Sequence, residues 1–177
     1  MTNSIGYFLT VSSLNYRKNF ITVLQAFSNF CEKNQEGNLY IVGDLKCDSF
    51  QGVDIQIYKS NKRIKFLGRV SDDDLIDYYR NAIAFIFPSL YEGFGIPVIE
   101  AQACGCPVIS SDSSSLPEVL GESALFCNPL DANRFTELMN SIYNDNYLRT
   151  SLIIKGYENV KRFSWDESTN KIIELIS

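Results

Sequence analysis

Glu92 and Glu100 are two carboxylates separated by Gly93-Phe94-Gly95-Ile96-Pro97-Val98-Ile99. Pro97 has a ring-fixed φ that suits a first helical position, where a missing N–H costs nothing. The segment therefore predicts a strand ending near Phe87, a turn through Gly93 and Gly95, and a helix opening at Pro97. The free N–H groups of Gly95, Ile96 and Val98 would then face an anion, with the helix dipole adding to the hydrogen bonds. Glu92 falls just before that helix and Glu100 about one turn inside it. A ligand suited to such a site is anionic at its centre and hydroxylated on both sides, as a nucleotide diphosphate carrying a sugar is. Spacing alone would favour a helix-start carboxylate and a surface residue, so their setting decides. Glu92 follows a strand, and Glu100 stands among Val98, Ile99, Ala101 and Ala103, where a carboxylate needs a partner.

Two cations are candidates to meet the same anion. Arg17 and Lys18 precede a predicted helix, the end at which positive charge is unfavourable. A pair that breaks a local rule suggests a ligand that compensates it. Arg69 and Val70, in a turn after another predicted strand, are a third candidate, although a turn there often carries a solvated charge.

These residues need a frame. Short apolar runs over Gly6–Val11, Asn38–Val42, Arg63–Leu67, Ala82–Phe87, Pro107–Ser110 and Ala124–Phe126 read as strands, several apolar throughout and so covered on both faces. Amphipathic stretches between them predict helices over Asn19–Glu32, Ser49–Lys59, Asp72–Asn81 and Pro97–Ala103. Three more follow, over Ala132–Tyr143, Asp145–Phe163 and from Ser164-Trp165 to Ile176, expected to cap one side with Trp165 packed. Ser71 ahead of Asp72-Asp73-Asp74 reads as an N-cap. The alternation predicts a single α/β domain, a Rossmann-like doubly wound parallel sheet with ligands at the carboxyl ends of its strands. The loop Ser12-Ser13-Leu14-Asn15, Arg17-Lys18 and the Gly68-Arg69-Val70 turn would open onto one crevice.

Bulk properties narrow the partners. The chain has 177 residues, 45% hydrophobic and 21% charged, with a net charge of −5. That balance gives no electrostatic case for nucleic acid, and the basic run Lys59–Lys65 reads as a solvated junction. Five cysteines without framework spacing, and no histidine, argue for reduced thiols and against a metal cluster. No segment suits a bilayer span or a secretory leader, so a cytoplasmic protein, at most peripheral to a membrane, is expected.

The run Pro88–Ala101, continued by Cys104-Gly105-Cys106-Pro107-Val108-Ile109-Ser110-Ser111-Asp112 and Leu116-Pro117-Glu118-Val119, resembles glycosyltransferase family 4, whose members are retaining enzymes of the GT-B fold. Arg17-Lys18-Asn19, Ile41-Val42-Gly43, Phe66–Val70 and Phe163-Ser164-Trp165 stand in the family's order. The resemblance covers the C-terminal, donor-binding half of such an enzyme. It implies that Glu92 lies by the donor sugar and that Glu100 accepts hydrogen bonds from ribose hydroxyls. Gly93, Phe94, Gly95 and Ile96 would line sugar and diphosphate, Arg17 and Lys18 would neutralise the diphosphate, and Arg69-Val70 would flank the base. The implied donor is a UDP- or GDP-hexose, without metal. The implied acceptor, a growing polysaccharide or lipid-linked saccharide, would meet a missing N-terminal domain, borne by a longer polypeptide or by a separate subunit. Transfer by this chain alone is not expected. Glu92 as covalent nucleophile or as orienting group stays open, with orientation favoured. Ser12-Ser13, where many relatives carry Gly-Arg, is the departure that bears on diphosphate binding. A non-catalytic nucleotide-sugar binding module is the alternative, whereas an NAD-dependent enzyme lacks its glycine-rich turn after the first strand.

Overall fold

A computed structural model describes residues 6–11, 16–44 and 55–176, with Gln56 as backbone. Six short, largely apolar strands form one parallel sheet: β1 (Tyr7–Val11), β2 (Asn38–Val42), β3 (Ile64–Gly68), β4 (Ala84–Phe87), β5 (Val108–Ser111) and β6 (Ala124–Cys127). Their spatial order is β3-β2-β1-β4-β5-β6, with Phe8 opposite Ala84 and Leu9 opposite Phe85. The order reverses between β1 and β4, the switch point of a doubly wound sheet.

Neighbouring residues of a strand bury on opposite faces. Phe8, Ile41, Ile86 and Ile109 enter one apolar cluster, while Leu9, Phe85, Phe87 and Val108 enter the other. The first cluster is closed by α1 (Phe20–Lys33) and α6 (Ala132–Asn144), through Phe27, Phe30, Phe135 and Met139. The second lies under α3 (Asp72–Asn81), α4 (Ile96–Ala103) and α5 (Leu116–Leu120), through Tyr79, Val98, Leu116 and Leu120. Before β3 runs the short helix α2 (Gln56–Lys59); the expected helix start at Ser49, like Ser12-Ser13 and Cys47, lies outside the described residues.

Ser71 caps α3 as expected, its Oγ accepting from Asp74 N–H at 3.2 Å. Ser71→Ala should lower stability by about 1 kcal/mol, read as a shift of the urea midpoint. The run Lys59–Lys65 is more than a solvated junction: Arg63 donates to the carbonyls of Asn34 and Gly37, each at 2.7 Å, and stitches α1 to β2. Cys31, Cys104, Cys106 and Cys127 are unpaired thiols, and burial pushes Cys127 up to about 12.

Two expectations change. The last three helices do not cap one side together. α6 packs on α1, α7 (Asn146–Val160) packs on both α6 and α4, and α8 (Trp165–Ile176) buries none of its residues. Trp165 is accordingly 79% exposed, and the packed aromatic at this corner is Phe163, edge-on to Phe94 at 5.3 Å. The second change is α5, which begins at Leu116-Pro117, a short segment without helical periodicity long enough to notice.

Candidate functional site

The candidate residues gather at the carboxyl edge of the sheet. After β1 the chain makes a 3-10 turn over Tyr16–Lys18, so Arg17 and Lys18 precede α1 rather than sit inside it. After β4 it runs through Pro88–Gly95 into α4. Leu90 N–H donates to Arg17 O at 2.8 Å and ties the two segments together. Lys18 Nζ meets Glu92 Oε1 at 2.6 Å, and both side chains are nearly closed off from solvent. Arg17 lies 3.6 Å from the other carboxylate oxygen and also donates to Tyr91 O at 3.3 Å. The Lys18 ammonium stands 4.9 Å over the Phe87 ring, a second stabilisation of the same charge. A 2.6 Å charge-assisted contact in a low-dielectric setting is strong and directional.

The helix start differs by one residue from expectation. Gly95 is the N-cap at φ 91°, Ile96 opens α4 and Pro97 follows it. Only glycine holds that φ without strain, and a Cβ there would sit 2.8 Å from Leu116 Cδ2. Val98 N–H is not free, because it donates to Gly95 O at 3.0 Å. Gly95 and Ile96 have no acceptor for their N–H groups among the described residues, so two backbone donors, rather than the three expected, are left open at this helix start.

Glu100 departs most from expectation. It is exposed, not enclosed, and among the described residues its carboxylate makes no hydrogen bond or ion pair. Its neighbours Val98 and Ala101 turn into the core and leave the carboxylate on the outer face of α4. Partial desolvation, and then the Asp72 charge across from it, raise its pKa above the usual carboxylate range. Between the ordinary and the raised value the folded chain binds more protons than the unfolded one, so stability falls as pH rises through that window. Glu100→Gln removes this titration. Its urea midpoint should gain on the wild type as pH rises from about 4 to about 7, and a constant difference would count against the effect. The carboxylate borders a groove of about 370 Å³ between α4 and the α7–α8 corner, with Phe94, Ile96, Phe163 and Lys171 among its walls.

Arg69 is not drawn to this centre. It is largely exposed and pairs at 3.6 Å with Asp44, at the end of β2, while Val70 packs against the second core cluster. Phe94 and Ile96 are about half exposed, and Gly93 has open space around it. The sequence reading missed three residues that act on the site. Ser114 Oγ accepts from Glu92 N–H at 2.8 Å, Ser115 Oγ donates to Glu92 O at 3.0 Å, and the charge of Asp72 acts on Glu100. The serine run before Leu116-Pro117 was the available signal, since serine favours turns and helix starts.

Fold and site together define a doubly wound parallel sheet with a cation–carboxylate centre at its switch point. The model of the family "Glycosyl transferases group 1" matches residues 5–159, and the chain belongs to that family. It is 34% identical over 173 residues to O-antigen chain mannosyltransferase B of Escherichia coli, covering 95% of this chain and 45% of that protein. It is 30% identical over 174 residues to the serotype-specific mannosyltransferase WbdA of the same organism, covering 95% and 21%. The chain therefore spans less than half the length of these relatives. Among solved structures, sucrose-phosphate synthase from Thermosynechococcus elongatus superposes with a TM-score of 0.84 at 28% identity, over 99% of this chain and 46% of that one. The sheet is thus the Rossmann-like α/β unit of a GT-B glycosyltransferase.

Proposed function

We propose that this chain is the donor-binding part of a retaining hexosyltransferase that uses a UDP- or GDP-hexose. The observation that carries the reading is the nearly buried Lys18–Glu92 pair just ahead of the α4 N-terminus. An ammonium has three donors, so Lys18 can hold Glu92 and a phosphate oxygen together. In this reading the diphosphate lies on the Gly95 and Ile96 N–H groups, with Arg17 at its outer side. Glu100 accepts from the ribose hydroxyls, Gly93 and Phe94 border the sugar, and Arg69-Val70 flank the base.

Cleavage of the sugar–phosphate bond leaves a nucleoside diphosphate with added negative charge beside an electron-poor sugar carbon. Lys18, Arg17 and the helix N-terminus stabilise that anion as it departs. Glu92, held by Lys18, orients the sugar, and the acceptor hydroxyl attacks from the face the leaving group vacates, passing its proton to the departing diphosphate oxygen. Charge neutralisation rests on the side chains and the helix, and we place no metal in this scheme. The names of the E. coli relatives favour mannose as the sugar and a cell-surface polysaccharide such as O-antigen as the product. The acceptor would bind a further N-terminal domain, with the whole enzyme in the cytoplasm at the inner membrane face. Among the described residues no helix is long and apolar enough to cross a membrane.

Calorimetric titration with UDP, GDP and ADP tests the reading. One nucleotide should bind saturably, and Glu100→Ala, an exposed change, should weaken it by about tenfold without lowering stability. Folded protein that binds none of the three would sink the proposal.

A further inference from the structure

Among the described residues, Asn19 (φ 49°) and Ser114 (φ 52°) are the two non-glycine residues held at positive φ. Left-handed backbone is unfavourable for a residue with a Cβ and persists where the surroundings over-determine it. Both residues flank the same group. Asn19 follows Lys18, which pairs with the Glu92 carboxylate, and Ser114 Oγ accepts the Glu92 N–H.

Both also stand where a helix begins, and at both helices the usual cap is missing. Side chains at this position ordinarily accept a hydrogen bond from a first-turn N–H, as Ser71, Asp131 and Asp145 do for α3, α6 and α7. Asn19 begins α1 without such a bond. Its Nδ2 donates instead to Pro88 O at 3.1 Å and Pro129 O at 2.5 Å, and its Oδ1 accepts from Thr22 Oγ1 at 3.0 Å. Ser115 begins α5 without one too, and its Oγ donates to Glu92 O. Two helices forgo their caps, and the freed side chains converge on the loop after β4 that carries Glu92. Asparagine suits its place for two reasons at once. Glycine would tolerate the φ but bridge nothing, and aspartate would tolerate it but offer no N–H to two carbonyls.

We propose that Asn19 and Ser114 are positioning residues that hold Lys18 and Glu92 in register across the β1–β4 switch point. Asn19 turns the chain so that Lys18 ends the 3-10 turn and Phe20 opens α1, and its amide fastens that corner to the loops after β4 and β6. Ser114 fixes the other side by clasping the Glu92 backbone. The pair is then preset before any ligand arrives. Its use rests on the donor-site reading above, but its placement does not.

The test is therefore made without a ligand. The acetylation rate of Lys18 by an amine-reactive ester, read by peptide mass spectrometry, reports how firmly its ammonium is held. It is measured in wild type, Asn19→Gly and Ser114→Gly. Glu92→Gln serves as the opened reference, and Met139→Ala, in the core cluster between α1 and α6, as a control for general destabilisation. Asn19→Gly keeps the backbone freedom and deletes the clamps. It should raise Lys18 acetylation about tenfold, towards the Glu92→Gln rate, as expected when hydrogen bonds around a charged group are lost. Ser114→Gly should move in the same direction by less. An unchanged rate in folded Asn19→Gly, or an equal rise in Met139→Ala at the same loss of Tm, would overturn the proposal. If Asn19→Gly does not fold, Ser114→Gly carries the test by the same criteria. Parallel titration of wild type with UDP and GDP separates the two claims. Absence of binding with the acetylation pattern intact would remove the donor reading and leave the positioning role standing.

Discussion

Lys18→Ala should destabilise the chain by about 3 kcal/mol, the low end of what breaking a buried ion pair costs. The Lys18 and Glu92 side chains are 13% and 8% exposed, so removing the lysine strands a carboxylate that water reaches poorly. Arg17, at 3.6 Å and 46% exposed, compensates in part and holds the figure at the low end. Lys18→Met combined with Glu92→Gln should recover most of the loss, because no uncompensated charge then stays buried. Urea midpoints for Lys18→Met, Glu92→Gln and the double variant complete a cycle whose coupling energy reports the pair. If Lys18→Ala falls within about 0.5 kcal/mol of wild type, the pair behaves as a surface salt bridge and cannot be the organising charge of the site.

Asn159→Leu should cost a similar amount, about 3 kcal/mol, by a different route. Gln102 of α4 and Asn159 of α7 are both buried and hydrogen-bonded to one another at 2.8 Å. Asn159 also donates to Val119 O at 3.1 Å and accepts from Arg162 at 2.7 Å, while Gln102 donates to Ser123 Oγ at 2.6 Å and to Ser123 O at 3.1 Å. Leucine in place of Asn159 leaves the Gln102 and Val119 oxygens buried without a donor, and buried orphans cost more than a typical hydrogen bond contributes. Since α4 also carries Glu100, the same variant should weaken nucleotide binding more than its loss of stability alone would imply. A destabilisation below about 1 kcal/mol would mean that water or a rotamer change satisfies those oxygens.

The frame was readable because each strand is a short apolar run and most of the longer helices, α7 excepted, are amphipathic, signals local in the chain. The turn through Gly93 and Gly95 was readable for the same reason, since it needs glycine at one specific φ. Pairing was harder to read. Lys18 reaches Glu92 through the adjacency of β1 and β4, and Ser114 reaches it from the far side of β5; a local pattern encodes neither distance. Glu100 shows the opposite error. Its apolar neighbours suggested enclosure, but on a helix adjacent residues point in different directions, and Glu100 belongs to the outer face. Trp165 misled similarly, since an aromatic at a helix start packs only if its helix is covered, and α8 buries none of its residues.

The sheet order also governs how the chain is assembled. β1 is made first, yet one of its two flanking partners, β4, enters much later, Phe8 pairing with Ala84. At typical synthesis rates the intervening stretch takes roughly 4–15 s to emerge, during which β1 has β2 on one side and an open edge on the other. Association across so long a loop is also slow in refolding. The crevice that brings Lys18 to Glu92 thus closes late in folding, and a nascent chain exposes an apolar strand edge, Phe8 and Leu9 included, until it does.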